Sequence, residues 1–169
     1  MTDVDTLEIY DFDWSLFRSP FPPDGHPDKS WWAEPASLEP PHVPVRAPRS
    51  FWIEEVVREV KAAQKRDETL SLILTSRRGK TEDRVRELLY QRNIEPDFFI
   101  CRSASFQKDK SSSGFKRKST SRILDAYPSV KRVVVWEDTQ YQLDGIEDVV
   151  NRRKIAFEGN LVTDSEKPK

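Results

Sequence analysis

Short β-rich apolar runs alternate with amphipathic helical stretches along this chain, and that alternation limits its fold more than any other feature. Leu70–Ser76, LSLILTS, is apolar almost without a break, as in a strand buried on both faces of a parallel sheet. Thr6–Asp11, Asp97–Cys101, Val130–Trp136 and Lys154–Glu158 supply four more strands. Between them, Ile53, Val56, Val57, Val60 and Ala63 fall at helical spacing after a candidate N-cap at Ser50. Thr81–Arg92 turns Val85, Leu88 and Leu89 to one face, Lys116–Tyr127 stops at Pro128, and Leu143, Ile146, Val149 and Val150 mark a last helix. The pattern predicts an α/β fold of three layers, Rossmann-like, with a mainly parallel sheet. Residues 1–159 are expected to form one domain and residues 160–169 a disordered tail.

One segment breaks the alternation. Arg18–Ser50 holds nine of the chain's 12 prolines, so it is neither a helix nor a central strand, because proline removes backbone donors. Phe21, Trp31 and Trp32 make it unlike a solvated linker. It reads as an ordered, cap-like insertion after the first strand. Its aromatics either pin the loop to the body or form a lid that excludes water or stacks on a base.

Charge and composition exclude several classes. Lys plus Arg is 28 and Asp plus Glu is 29, a net charge of −1, which argues against coating nucleic acid by bulk charge. Cys101 is the single cysteine, so there is no internal disulfide framework and a reducing compartment fits. No apolar run approaches the roughly 20 residues of a membrane span, and the acidic start lacks signal-peptide features. The expectation is a soluble intracellular protein of cytoplasm or nucleus, without a membrane partner.

In parallel α/β sheets ligands bind beyond the carboxyl ends of the strands, and here those ends carry the chemistry. The first ends in Asp11-Phe12-Asp13-Trp14-Ser15, whose two carboxylates suit a divalent cation, a nucleophile with a proton carrier, or an acidic turn. The second ends in Thr75-Ser76, hydroxyls that hold a phosphoryl oxygen or begin a turn. The fourth ends in Glu137-Asp138, which would lie beside the first pair if the strands are neighbours. Gly79-Lys80-Thr81 is not a P-loop, because Leu74 stands where the motif needs glycine. His26 and His42 lack metal-ligand spacing, and Cys101 reads as a packing residue. Arg102–Arg122 sets seven basic residues against Asp109, a local charge of +6: either a solvated face or a polyanion patch with one lysine at the phosphate.

In order, these strand ends resemble the four motifs of the haloacid dehalogenase (HAD) superfamily. YDFDWSLFRSP, the following WW, LILTSRR, FKRKSTSRILDAYPSV and VVVWEDT resemble most closely the HAD-like domain of the Swiss Army Knife RNA repair family. The resemblance implies a phosphatase. Asp11 would be the nucleophile, Asp13 the acid and base, Thr75 a phosphoryl contact, and Lys116, with Lys118 as a rival, the charge-neutralising lysine. Asp11, the main-chain carbonyl of Asp13, and Asp138 with Glu137 would hold Mg²⁺. The substrate would be a phosphorylated nucleotide or RNA or DNA end, and the alternative is a catalytically weak RNA-binding or assembly module on the same fold. Two departures stand out: Thr139 replaces an arginine in the last motif with no histidine following, and Asp144 lies six residues after Asp138.

Overall fold

The computed structural model describes residues 3–103 and 111–169. The apolar runs become β1 (Thr6–Tyr10), β2 (Thr69–Arg78), β3 (Phe98–Arg102), β4 (Arg132–Glu137) and β5 (Ala156–Leu161). They form one parallel sheet in the order β3-β2-β1-β4-β5. The helices are α1 (Asp28–Trp31), α2 (Glu54–Ala63), α3 (Glu82–Gln91), α4 (Ser112–Ala126) and α5 (Gln140–Arg152). Alternate residues of a strand face opposite sides, which divides the core in two. Tyr10 and Ile73 pack under α2 and α3, together with Leu38, Val43 and Trp52 of the Pro-rich segment. Leu7, Ile9, Leu72 and Leu74 pack under α4 and α5 on the other face. The sheet between two helical layers is the predicted three-layer α/β fold.

Element ends differ from expectation where tertiary contacts decide them. Ser50 is not the cap of α2: Arg49–Phe51 forms a 3₁₀ turn, and α2 starts only after Ile53, whose N–H donates to Leu16 O at 2.9 Å. α4 starts four residues before Lys116, capped by Ser111 Oγ, which accepts from the Gly114 N–H at 2.9 Å. Lys108, Asp109 and Lys110 of the basic stretch lie outside the described residues. The expected disordered tail is instead docked: β5 runs on to Leu161, Val162 N–H donates to Glu137 O at 2.8 Å, and Asp164 pairs with Arg18 at 3.0 Å. Among the described residues no helix is long and apolar enough to cross a membrane.

The Pro-rich segment is ordered by donors borrowed from elsewhere. Proline contributes a carbonyl but no N–H, so such a segment has more acceptors than it can satisfy itself. Arg84 of α3, 8% exposed, donates to Leu38 O, Pro44 O and Val45 O at 2.8, 2.9 and 3.1 Å. Gln91 donates to Val45 O, Arg18 to Ser50 O and Trp52 O, and Trp31 Nε1 to Pro20 O. Trp31 is buried and packs near-perpendicular to the rings of His26 and His42. That indole is a pin for the loop, and both histidines are its packing partners.

Candidate active site

The chain leaves β1 for β2 and β3 on one side and later returns to β4 and β5 on the other, so the strand order reverses beside β1. Tyr10 pairs in register with Ile73 and Trp136, so the residues that follow emerge side by side. Asp11, Glu137 and Asp138 each present a carboxylate oxygen within 4.8 Å of the others. Lys116 reaches this cluster from α4: its Nζ donates to Asp11 Oδ1 at 2.8 Å and Glu137 Oε2 at 2.6 Å. Ser15 Oγ donates to Asp11 Oδ2 at 3.0 Å.

Burial raises the pKa of Asp11, and neighbouring Asp138 adds to the rise while Lys116 opposes it. Glu137 is raised well above the carboxylate range by burial and by the charge of Asp11. Burial alone would depress Lys116, but attraction to Asp11 and Glu137 outweighs it, so its pKa is raised and it stays an ammonium. The three carboxylates set hard oxygen donors against two ammoniums, Lys116 between Asp11 and Glu137 and Lys167 on Asp138. That donor chemistry fits a divalent cation such as Mg²⁺, which Asp11, Glu137 and Asp138 would hold.

Asp13 lines the same cavity, but its carboxylate takes no part in that cluster. Arg77 Nε lies 2.9 Å from both Asp13 oxygens, and Ser19 Oγ donates to Oδ1. Arg77 is 2% exposed and also donates to Trp32 O and Ser37 Oγ at 3.1 and 2.8 Å, so it ties Asp13 to the Pro-rich segment. A shift of register explains its aim. Thr75 pairs with Cys101 and Arg78 with Arg102, which leaves Ser76 and Arg77 bulged out of the ladder. Thr75 is fully buried and its Oγ1 accepts from the Arg77 N–H at 3.2 Å. The strand-end hydroxyl that lines the cavity is that of Ser76, and it has no partner among the described residues.

The remaining candidates sort by position. Lys118 is exposed on the face of α4 opposite the buried Lys116. Asp144 is exposed on α5 and accepts from Gln140 at 2.7 Å, outside the cluster. Cys101 is half-buried, with Sγ 3.6 Å from Glu82 Oε2. In the basic stretch, Lys116 points inward and Arg117 pairs with Asp148 at 2.7 Å. A cavity of about 430 Å³ opens over the carboxylates, with Trp14, Phe21, Trp32 and Tyr141 among its lining. Sequence reading missed Arg77 and Lys167, whose Nζ lies 2.6 Å from Asp138 Oδ2. Arg77 was visible only as the residue after Thr75-Ser76, and nothing local ties Lys167 to a strand end.

A family sequence model, HAD domain family 1 in Swiss Army Knife RNA repair proteins, matches residues 22–166. The chain belongs to this family. The matched stretch includes Thr75, Lys116, Glu137 and Asp138, while Asp11 and Asp13 lie just upstream of it. An uncharacterized protein of Saccharomyces cerevisiae is 22% identical over 171 residues, covering 85% of this chain and 36% of that protein, so the chain spans little more than a third of its relative. A structure of the Pnkp1/Rnl/Hen1 RNA repair complex shares the fold with a TM-score of 0.60 at 13% identity, over 95% of this chain and 44% of that one. The HAD domain of the Legionella pneumophila effector protein Lem4 shares it with a TM-score of 0.60 at 11% identity, over 98% and 90%. At those identities the likeness is one of fold. In this HAD domain the altered last motif keeps a local network: Asp138 N–H and Thr139 Oγ1 both donate to Glu137 Oε1, at 3.1 and 3.3 Å.

Proposed function

We infer that this HAD domain is a Mg²⁺-dependent phosphatase that works through an aspartyl-phosphate on Asp11 and removes phosphate from a nucleotide or nucleic-acid end. The observation that carries the reading is Asp11 itself: a carboxylate at the sheet's switch point, with one oxygen held by Lys116 and the other by Ser15, inside a three-carboxylate cluster. The family's description as domains of RNA repair proteins supports the substrate class.

In the first step an Asp11 oxygen attacks phosphorus, the bond to the leaving oxygen breaks, and Asp13 gives that oxygen a proton. In the second, Asp13 takes a proton from water as the water attacks phosphorus, and the bond to Asp11 breaks to release inorganic phosphate. Lys116 offsets the charge of the phosphoryl oxygens and holds Asp11 in line, and Mg²⁺, when bound, adds further positive charge there. Ser76, which lines the cavity with its Oγ unpartnered, is the hydroxyl closest at hand for the phosphoryl group, in place of the fully buried Thr75.

One observation favours the weaker-turnover alternative. Arg77 engages both oxygens of Asp13, so proton delivery requires one oxygen to leave the fork. A phosphatase screen with Mg²⁺ over mononucleotides and 3′- and 5′-phosphorylated RNA and DNA oligonucleotides separates the two. EDTA-sensitive release of phosphate that falls about 10³-fold or more in Asp11→Asn supports the phosphatase. Binding without release supports the module.

A further inference from the structure

We propose that the cavity above the carboxylates contains a nucleobase subsite, built by Phe21 and Trp32 of the Pro-rich segment and by Tyr141 and Gln142 at the start of α5; this rests on the phosphatase reading for the phosphate that the base accompanies. Phe21 is 39% and Tyr141 57% exposed, unusual for large aromatics, and both line this one cavity. Phe21 sets its ring edge-on to Trp32 at 5.4 Å and tilted to Trp14 at 5.7 Å, so three aromatic rings form a continuous wall. Trp14 holds its place with a left-handed φ of 59° and an Nε1–H donated to Ser19 O at 3.0 Å. Trp32 is further fixed by the Arg77 guanidinium 5.7 Å from its ring centroid. The wall is therefore set rigidly relative to Asp13, and so relative to the scissile phosphate.

A second observation gives the subsite a polar demand. Gln142 is 7% exposed and lines the cavity; its amide nitrogen donates to Ser112 Oγ at 3.0 Å, while Oε1 has no partner among the described residues. A buried acceptor left unpaired costs stability unless something donates to it. Nucleobases present a flat π-face for aromatic walls and N–H donors along the edge, which matches both demands at once. A bare sugar phosphate has hydroxyl donors but no flat π-face, so it meets only the second. A phenyl ring, such as that of phosphotyrosine, meets only the first.

Equilibrium titration of the Asp11→Asn protein with Mg²⁺, read by quenching of tryptophan fluorescence, tests the subsite. The probes are adenosine 5′-phosphate, adenosine 3′-phosphate, ribose 5-phosphate and phenyl phosphate. The expected result is that at least one adenosine phosphate binds about tenfold or more tightly than ribose 5-phosphate. Trp32→Leu and Tyr141→Leu should each remove most of that advantage and leave ribose 5-phosphate unaffected, whereas Tyr141→Phe keeps it. Gln142→Met should weaken the adenosine phosphates but not phenyl phosphate. Equal binding of adenosine and ribose phosphates overturns the subsite, and phenyl phosphate binding as tightly as the nucleotides overturns its assignment to a base. The phosphatase reading fails separately: wild-type protein with Mg²⁺ that hydrolyses none of the probes, while the adenosine advantage and its loss in Trp32→Leu persist, leaves a base-binding site without turnover. Steady-state KM values of the wild-type and Trp32→Leu proteins give the same comparison should Asp11→Asn not fold.

Discussion

The Lys116 ammonium, with 2% of its side chain exposed, lies between Asp11 and Glu137, and the free energy of that arrangement is lopsided. Taking three charges out of water is costly, so the triad adds little net stability over an apolar core, but removing its one cation leaves two carboxylates facing each other. Lys116→Met should therefore lower unfolding free energy by about 3–5 kcal/mol in urea titrations, and adding Glu137→Gln should restore part of the loss. A Lys116→Met protein as stable as wild type would mean the triad is not formed. Cys101 makes the opposite point about reactivity. Burial, with the nearby charge of Glu82 added, pushes its thiol up to about 11. Its alkylation by iodoacetamide at pH 8 should run roughly a hundredfold slower than that of a free thiol, and accelerate until the pH nears that value. A rate already level below pH 9 would contradict the buried environment. Both residues were legible in sequence, Lys116 from its place after Phe115 in the motif and Cys101 from its position at the end of an apolar strand. The Lys118 rival was not separable there, because which lysine faces inward depends on where α4 begins.

At the scale of elements, the strands and their order along the chain were legible because β2 and β4 carry nearly unbroken apolar runs and β1 a short β-rich one, a signal held in consecutive residues. The Pro-rich segment was legible only as an exception. Its prolines exclude helix and central strand, but what orders it sits far away in sequence, on α3 and on the bulge of β2. Arg84 illustrates the cost. It reads in the sequence as one more charge on a helix, yet it is buried and satisfies three carbonyls of the segment. Arg84→Met should lower stability by about 2–4 kcal/mol, since Leu38 O and Pro44 O lose their donor while Val45 O keeps Gln91. It should also speed tryptic cleavage at Arg46, which is exposed beside Pro44 and Val45, before the rest of the domain is cut. Unchanged cleavage at Arg46 would show that other contacts hold the segment. The same logic covers Arg77: a register shift in β2 cannot be read from composition, so a buried arginine clamping Asp13 stayed hidden among surface charges.

Across the whole molecule, residues as distant as Asp11 and Lys167 converge on one end of the sheet. The parallel pairing of β1 with β2 and β4 brings the strand-end contributors together, which is why their order along the chain carried so much information. Lys167 arrives by a different route. Val162 continues from β5 to donate to Glu137 O, and Asp164 is gripped by Arg18 through two nitrogens at 3.0 and 3.1 Å. Burial would raise Asp164, but hydrogen bonds from Arg18 and from the Glu166 N–H outweigh it and hold its carboxyl below the usual range. A depressed carboxyl contributes stability above its unfolded pKa and loses it only as pH falls through the folded one, so this anchor is intact at neutral pH. The anchored tail sets the Lys167 ammonium 2.6 Å from Asp138 Oδ2, on the carboxylate that faces the cavity. A divalent cation using Asp138 must displace that ammonium, and the two positive charges compete for one oxygen. Lys167→Ala should accordingly tighten Mg²⁺ binding several-fold by calorimetry, whereas Asp138→Asn should abolish it with or without Lys167. If Lys167→Ala leaves Mg²⁺ affinity unchanged while Asp138→Asn still removes it, the ammonium and the cation occupy different sides of the carboxylate and do not compete.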